Sequence, residues 1–149
     1  MSDLTDFIRE SNRIEGIVRE PTKEEISAAE NFLALGQITV DDVAMLVSVF
    51  QPDARLRNRP GMNVRVGRHV APEGGPEIEK ELTGLLKAVN GDVLTPYNIH
   101  VWYETLHPFI DGNGRSGRMI WAWQMKQRTG FPLGFLHHFY YQTLGANSR

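Results

Sequence analysis

The segment HPFIDGNGRSGR, at positions 107–118, holds residue types that chemistry on a phosphate chain needs. His107 supplies an imidazole, the side chain best suited to taking a proton near neutral pH. Asp111 is a carboxylate that can hold a magnesium ion bridging phosphate oxygens. Phe109 and Ile110, which lie between His107 and Asp111, are expected to turn inward and anchor the loop. Together these residues predict a base that stands beside a metal-bound anion.

The rest of the segment predicts a cradle for that anion. Gly112, Asn113 and Gly114 form a turn in which glycine lets the backbone approach a ligand and adopt positive φ. A helix that starts there points its free amides and the positive end of its dipole into the turn. Arg115 and Arg118 are three residues apart, project from one face and can share one polyphosphate. A loop that merely caps a helix is the plain alternative, but it has no need of His, Asp and Gly-Asn-Gly together.

Apolar residues at helical spacing predict the elements that hold this segment. Thr22 and Thr39 can each cap a helix start, and Glu25 can complete a capping box with Thr22. Glycine or proline steps mark most of the helix ends. The predicted helices run from Leu4 to Glu15, from Thr22 to about Leu35, from Thr39 to Phe50, from Ile78 to Val89, from Thr95 to Leu106, from about Asn113 to Gly130, and around Phe135 to Leu144.

The helical period is lost between positions 52 and 76, where Gly and Pro are frequent. Within that stretch Val64, Val66 and Val70 lie on either side of a glycine, a pattern compatible with a small hairpin. No repeat, low-complexity stretch or linker suggests a boundary, so one domain over residues 1–149 is predicted. The fold class that follows is all-α with a short β-hairpin.

Composition and charge narrow the class of protein. Apolar residues make up 41% of the 149 residues and charged residues 23%, which is typical of a globular protein and not of a disordered or membrane-spanning one. The formal net charge of −2 gives no overall attraction to nucleic acid or to an anionic membrane, so neither is expected as a partner. The sequence has no cysteine, no signal-like apolar block at its start and no apolar run of about 20 residues. A cytoplasmic location is the simplest expectation, and a secreted effector also fits.

The segment at 107–118 resembles the signature of the Fic family, HxFx(D/E)GNGRxxR, and matches it at every position. The resemblance implies an all-α fold, a Fic-type helical bundle in which a short β-hairpin, the flap, lies over the active site. The flap would fall at about residues 61–72. Its residues Val66, Gly67 and Arg68 are candidates for docking a target protein by strand addition. A solvated hairpin is the plain alternative for its charged residues.

The resemblance also implies an activity, the transfer of AMP from ATP to a Ser, Thr or Tyr hydroxyl of a target protein with release of pyrophosphate. His107 would be the general base and Asp111 the ligand of Mg²⁺. The residues that would hold the nucleotide are Gly112, Asn113, Gly114, Arg115 and Arg118. In the Doc branch, which phosphorylates, a lysine stands at the position of Gly114. Glycine there favours nucleotidyl transfer over phosphoryl transfer.

A second segment, SNRIEG at positions 11–16, resembles the inhibitory motif (S/T)xxxE(G/N) of self-inhibited Fic proteins. Ser11 and Glu15 are four residues apart and so lie on one face of a helix. Glu15 paired with Arg118 would occupy the guanidinium that the γ-phosphate needs, and ATP would bind only in an unproductive pose. The resemblance therefore implies an inhibitory helix within residues 1–20. A solvated helix end with a chance Ser and Glu is the plain alternative.

Two other functions stay open at this point. The same site could remove AMP from a modified protein, with Glu15 orienting water, or could transfer another nucleotide. The alternative that is not an enzyme is a module that binds nucleotide without turnover. The target protein and the oligomeric state are not indicated by the sequence.

The other histidines and the tryptophans are expected to be structural. His100 lies on an apolar helix, so it is expected to be a structural histidine held by hydrogen bonds. His137 and His138 are adjacent, and adjacent helical residues point about 100° apart, so a shared metal is not expected. Trp121 and Trp123 are expected in the core or at an interface.

Overall fold

The computed structural model describes residues 2–129 of the chain. Over that range the protein is helical with one small antiparallel hairpin, which confirms the all-α fold class. The helices are α1 (Ser2–Ile14), α2 (Lys23–Leu33), α3 (Val40–Phe50), α4 (Pro76–Asn90), α5 (Pro96–Leu106) and α6 (Asn113–Thr129), and the strands are β1 (Arg65–Val66) and β2 (His69–Val70). None of these helices is long and apolar enough to cross a membrane. The predicted helix around Phe135 to Leu144, with His137 and His138, lies outside the described residues.

Local sequence explains where several helices begin. Thr22 and Glu25 form the predicted capping box on α2, in which each side chain bonds to the other residue's backbone N–H. Thr39 and Asp42 make the same exchange at the start of α3. Thr95 caps α5, whose first residue is a proline. The predicted capping residues are therefore confirmed.

Helix α2 ends at Leu33, two residues before the predicted end near Leu35. The carbonyls at this end bond to side chains that lie far away in the sequence. Trp123 Nε1 donates to the Leu35 carbonyl at 2.9 Å, and Lys126 Nζ donates to the Leu33 carbonyl at 3.3 Å. These carbonyls therefore find partners on α6 and not in a further helical turn.

Helix α6 is the centre of the fold. It packs against α1, α2, α3 and α5, and its residues 119–123 are all 3% exposed or less. Trp121 and Trp123 are among them, as predicted. A helix that is buried on several sides cannot tilt without opening the core. The N-terminal end of α6, and the motif that contains it, is therefore held in a fixed place.

The predicted hairpin is present within residues 61–72. Its strands are two residues each, with Arg65 opposite Val70 and Val66 opposite His69. So short a ribbon cannot be stable alone. Its position must come from contacts with the helical body.

A buried arginine supplies those contacts. Arg57 is fully buried and donates to the carbonyls of Met62 and Pro72, at the two ends of the hairpin, at 3.0 and 2.8 Å. It also donates to the carbonyls of Leu106 and His107 at 2.8 and 2.6 Å. One guanidinium therefore joins the base of the hairpin to the end of α5.

Candidate active site

The loop between α5 and α6 is held along its backbone. His107 follows α5 in the left-handed conformation, with φ 47° and ψ 63°, which His adopts more readily than most residues. Phe109 is 1% exposed and pairs with Leu56 in an isolated antiparallel bridge. The Ile110 amide donates to the Arg55 carbonyl at 2.9 Å. The loop therefore has a defined course on both sides of its buried aromatic ring.

The prediction that Ile110 turns inward with Phe109 is wrong, since Ile110 is 42% exposed. The chain is extended where Phe109 pairs with Leu56, and successive side chains of an extended chain point to opposite sides. Phe109 enters the core. Ile110 therefore faces outward and borders the cavity described below.

The imidazole of His107 is held in one tautomer. Its Nδ1 bonds to the carbonyl of Glu104, one turn earlier on α5. A carbonyl oxygen can only accept, so the proton lies on Nδ1, and Nε2 keeps a free lone pair. Such an imidazole is ready to accept a proton at Nε2.

Asn113 closes the turn that opens α6. Its Oδ1 accepts from the Phe109 N–H at 2.9 Å, and its Nδ2 donates to the Phe109 carbonyl at 2.8 Å. Gly112 has a φ of +80°, which would strain any residue with a side chain. Its N–H donates to Asp111 Oδ1 at 2.8 Å. The first amides of α6 have no intrahelical partner, and the residues that carry them border the cavity, so they are available to an anion.

Arg115 lies buried at the side of this turn, with 3% of its surface exposed. Its Nη2 donates to Gln51 Oε1 at 2.8 Å, and its Nη1 lies 3.5 Å from Asn12 Oδ1. The guanidinium stands 5.7 Å from the centre of the Phe50 ring. Its Nε is buried without a hydrogen-bond partner among residues 2–129. A buried cation with an unused donor fits a site that receives an anion.

Arg118 is bound by residues at the C-terminal end of α1. Its Nη2 donates to Glu15 Oε2 at 2.6 Å and to the Ser11 carbonyl at 3.1 Å, and its Nε donates to Ser11 Oγ at 2.7 Å. Glu15 lies just beyond Ile14, the last residue of α1, and before Gly16, which has a φ of +79°. A turn therefore presents Glu15, and its carboxylate covers the guanidinium of Arg118.

His107, Asp111, Arg115 and Glu15 border one cavity of about 450 Å³, whereas Arg118 lies outside its lining. Its lining consists of Glu15, Ile17, Gln51, Val64, Arg65, Val66, His107, Ile110, Asp111, Gly112, Asn113, Gly114 and Arg115. A larger and mostly apolar groove of about 560 Å³ runs between α2 and α3. That groove contains none of the motif residues, so the chemistry points to the smaller cavity.

Asp111 is the carboxylate of the motif at this cavity, and it is exposed. Within residues 2–129 no three His, Asp or Glu side chains are grouped as a metal site would require. Mg²⁺ usually keeps several waters and binds through one or two carboxylates together with substrate phosphates. Asp111 therefore fits a magnesium ion that arrives with a nucleotide.

The flap residues Val66, Gly67 and Arg68 stand at the turn of the hairpin. Val66 is 52% exposed and borders the cavity with His107. Gly67 has a φ of +59°, and its carbonyl accepts from Arg65 Nε at 3.0 Å. The hairpin thus reaches the cavity, and docking of a target there stays a prediction.

Comparison with known proteins agrees with this geometry. The family model described as Fic/DOC family matches residues 28–125, about two thirds of the chain. The chain belongs to the Fic/DOC family. A Fido domain-containing protein from Dictyostelium discoideum is 41% identical to it in an alignment of 51 positions that covers 29% of this chain and 36% of that relative. Fic proteins generally transfer nucleotidyl groups to proteins.

Four polar residues that organise this Fic site were not predicted from the sequence. They are Asn12, Gln51, Arg57 and Glu104. Asn12 is fully buried, and its carbonyl accepts from the N–H groups of Glu15 and Ile17, both at 3.0 Å. It therefore shapes the turn that presents Glu15. Its place inside SNRIEG was a signal, whereas nothing in the sequence marks the other three.

Gly114 lies against the pair formed by Glu15 and Arg118. A Cβ at position 114 would collide with the Glu15 carboxylate and come within 3.2 Å of Arg118 Nη1. Glycine therefore leaves room here for that carboxylate.

His100 is buried, consistent with a structural role, and it faces a carboxyl group that the sequence did not single out. Burial lowers the pKa of His100 to about 4. Glu104 Oε1 lies 3.8 Å from His100 Nε2 and has no hydrogen-bond partner in the described part of the chain. Burial raises the pKa of Glu104 to about 7. At pH 5 to 6 both groups are therefore mostly uncharged in the folded protein.

Glu104→Gln is expected to change how the stability of the fold depends on pH. The pKa of Glu104 is raised above its ordinary 4.5, so the folded state holds a proton that the unfolded state releases. That contribution is complete below pH 4.5 and is lost as the pH rises to about 7. The lowered pKa of His100 acts in the opposite direction, with stability gained from about pH 4 to 6.5. Of these two contributions, only the gain in stability from His100 should remain in Glu104→Gln.

Thermal unfolding midpoints between pH 5 and pH 8 measure this difference. Wild type should lose stability relative to Glu104→Gln as the pH rises. Glu30→Gln, an exposed carboxyl on α2, should keep the wild-type profile. Parallel profiles for wild type and Glu104→Gln would show that Glu104 ionises normally in the fold.

Proposed function

We propose that the protein transfers AMP from ATP to a Ser, Thr or Tyr hydroxyl of a target protein and releases pyrophosphate. The observation that carries this proposal is one cavity bordered by His107, Asp111, Arg115 and the first turn of α6. A base beside an anion cradle is what attack of a hydroxyl on a phosphate requires. Membership of the Fic/DOC family supports nucleotidyl transfer as the class of reaction.

In the proposed step the target hydroxyl oxygen attacks the α-phosphorus of ATP in line with the bond to the β-phosphate. The hydroxyl proton passes to Nε2 of His107 as the new oxygen–phosphorus bond forms. The bond to pyrophosphate breaks, and its electron pair leaves with the pyrophosphate oxygen. The amides of the first turn of α6 and the guanidinium of Arg115 neutralise the charge that develops there. Asp111, together with the phosphates, would hold Mg²⁺, which would further neutralise that charge.

The choice of nucleotidyl over phosphoryl transfer rests on Gly114. The Doc branch, which phosphorylates, carries a lysine at this position and binds ATP in reverse. A long side chain at position 114 would enter the space that the Glu15 carboxylate occupies. Gly114 therefore supports the orientation of ATP in which the α-phosphate meets His107.

Glu15 restrains this reaction in the proposed account. Its bond to Arg118 is short and charge-assisted, and Ser11 holds the same guanidinium at two further points. A triphosphate in the productive position needs that guanidinium for its γ-phosphate. The carboxylate must therefore leave before ATP binds productively.

Glu15→Gly is expected to raise AMP incorporation, into the protein itself or a target, by about 10- to 100-fold. That range corresponds to the loss of one hydrogen bond between charged groups, about 1.5–3 kcal/mol. Adding Arg118→Ala should abolish the gain, because the γ-phosphate then loses its partner. Incorporation of label from ATP labelled in the α-phosphate measures the effect. Glu73→Gly, which removes an exposed loop carboxylate outside the cavity lining, serves as the matched control. Equal labelling by wild type and Glu15→Gly would show that Glu15 does not restrain the reaction.

Removal of AMP is the second candidate, and one observation favours it. The Glu15 carboxylate borders the same cavity as His107, where it could orient a water molecule. Protein that carries AMP, made with the Glu15→Gly form, can be incubated with wild type or with Glu15→Gly. Loss of AMP with wild type alone would favour removal.

A further inference from the structure

The flap region carries a concentration of positive charge that the proposed reaction does not use. Residues 54–72 contain five arginines and no Asp or Glu. Because the whole chain has a formal charge of −2, the other residues together carry −7. The rest of the chain is therefore acidic in sum, in contrast to the segment that holds the hairpin.

Four of the five arginines are exposed and have no ion-pair partner among residues 2–129. Arg57 is the buried one, and its donors are used by carbonyls. The exposed ones are Arg55, Arg59, Arg65 and Arg68. In the part of the chain that the structure describes, none of these four arginines lies within 4.0 Å of a carboxylate oxygen. The arginines that do form ion pairs there are Arg9, Arg19, Arg118 and Arg128. The charge of the flap is thus left free for a partner.

These arginines lie on the segment that contains the flap, and one of them borders the active-site cavity. Arg65 lines the cavity itself. The carbonyl of Arg55 accepts from the amide of Ile110 in the catalytic loop at 2.9 Å. Arg68 stands in the turn of the hairpin, and Arg59 precedes the base of the hairpin, where its carbonyl accepts from Met62 at 3.2 Å. A target segment that enters this cavity along the flap meets Arg65 and lies on the same face of the chain as the hairpin turn with Arg68.

We propose that the flap selects a target segment that carries acidic residues beside its reactive hydroxyl. This inference rests on the proposed function, since it names the kind of target that the same site takes. Each strand of the hairpin is only two residues long, so strand addition offers few backbone bonds. Complementary charge then supplies much of the selectivity and of the rate of encounter.

Two other anionic ligands fit the flap less well. The phosphates of ATP are served by Arg115 and the start of α6, and Arg59 and Arg68 lie outside the lining of that cavity. Single-stranded nucleic acid binds on aromatic platforms as well as positive grooves. Residues 51–76 contain no Phe, Tyr or Trp. An acidic protein segment needs no such platform.

Binding of fluorescent peptides to the wild-type protein and to the Glu15→Gly form tests the inference without requiring catalysis. Three peptides share a central hydroxyl residue and differ in flanks of Asp and Glu, of Asn and Gln, or of Lys. The acidic peptide is expected to bind at least about tenfold more tightly than the neutral one at low salt, and the difference should shrink as salt rises. The basic peptide should bind weakest.

Substitutions locate the effect. Arg55→Gln, Arg59→Gln and Arg68→Gln together should remove most of the preference for the acidic peptide. The matched control replaces three exposed cations away from the flap, Lys23, Lys80 and Lys87, by Gln, and the preference should persist. Equal binding of all three peptides, or an unchanged preference in the triple arginine variant, would overturn the inference. Tighter binding of a single-stranded oligonucleotide than of the acidic peptide would overturn it in favour of nucleic acid.

Labelling of the same peptides by the Glu15→Gly form separates this inference from the proposed function. Selective binding with preferential labelling of the acidic peptide supports both. Selective binding without any labelling from ATP keeps the docking surface and counts against AMP transfer. Labelling without preference for acidic flanks keeps AMP transfer and counts against the docking surface.

Discussion

Replacing His107 by Ala in the Glu15→Gly form is expected to slow AMP transfer by about 10²- to 10⁴-fold, the usual contribution of a general base. The ring is held by its Nδ1 bond to the Glu104 carbonyl, so Nε2 is the atom that takes the proton. The cradle for the phosphates is built from other residues. ATP affinity measured by calorimetry should therefore stay within about twofold while kcat falls, as expected for an interaction made only in the transition state.

His69→Ala is the matched control for that result. The ring centres of His69 and His107 are 6.1 Å apart, and His69 Nε2 donates to the Thr105 carbonyl at 2.8 Å. Its loss removes one contact of the flap and no base, so the rate should fall by less than about tenfold. An undiminished rate in His107→Ala, or an equal fall in His69→Ala, would show that another group takes the proton.

Arg57→Met is expected to lower the free energy of unfolding by about 3 kcal/mol. The substitution leaves four carbonyls without their donor, and each unsatisfied buried acceptor costs about 1–3 kcal/mol before water and relaxation recover part of it. Urea unfolding measures the change. Arg59→Met, an exposed neighbour, should stay within about 0.5 kcal/mol of wild type. Similar losses in both variants would mean that the carbonyl contacts of Arg57 contribute little.

The helices and the catalytic segment were predictable because their signals are local. Thr22 with Glu25 and Thr95 with Pro96 mark helix starts within four residues of sequence, and each of these starts is present. The segment 107–118 carries its turn, its helix start and its charged groups in one contiguous run. Local physical chemistry therefore accounts for the fold class and for the order of groups along the site.

The support of the site was not predictable because its contacts join distant parts of the chain. Arg57 bonds to carbonyls on the other side of the hairpin and at the end of α5, and backbone carbonyls leave no trace in a sequence. Gln51 directly follows the predicted helix that ends at Phe50 and has no feature that marks a role, yet it holds Arg115. Ile110 was placed wrongly because its direction depends on the bridge between Leu56 and Phe109. A single sequence contains no pairing information of this kind.

Two ion pairs lie beside the segment that carries Glu15. Arg9 bonds to Glu20, and Arg19 bonds to the buried carboxylate of Glu25. These pairs fasten the connection between α1 and α2, from which Glu15 reaches Arg118. The ion pair of Arg9 with Glu20 is exposed and contributes little to stability on its own. In the proposed restraint, release of Glu15 breaks its bond to Arg118 at the end of α1.

The most direct measurement compares two forms of labelled ATP with the Glu15→Gly protein in the presence of Mg²⁺. AMP transfer predicts that protein takes up label from the α-phosphate, takes up none from the γ-phosphate, and releases one pyrophosphate for each AMP bound. Uptake of label from the γ-phosphate, or none from either form while ATP still binds, would contradict the account.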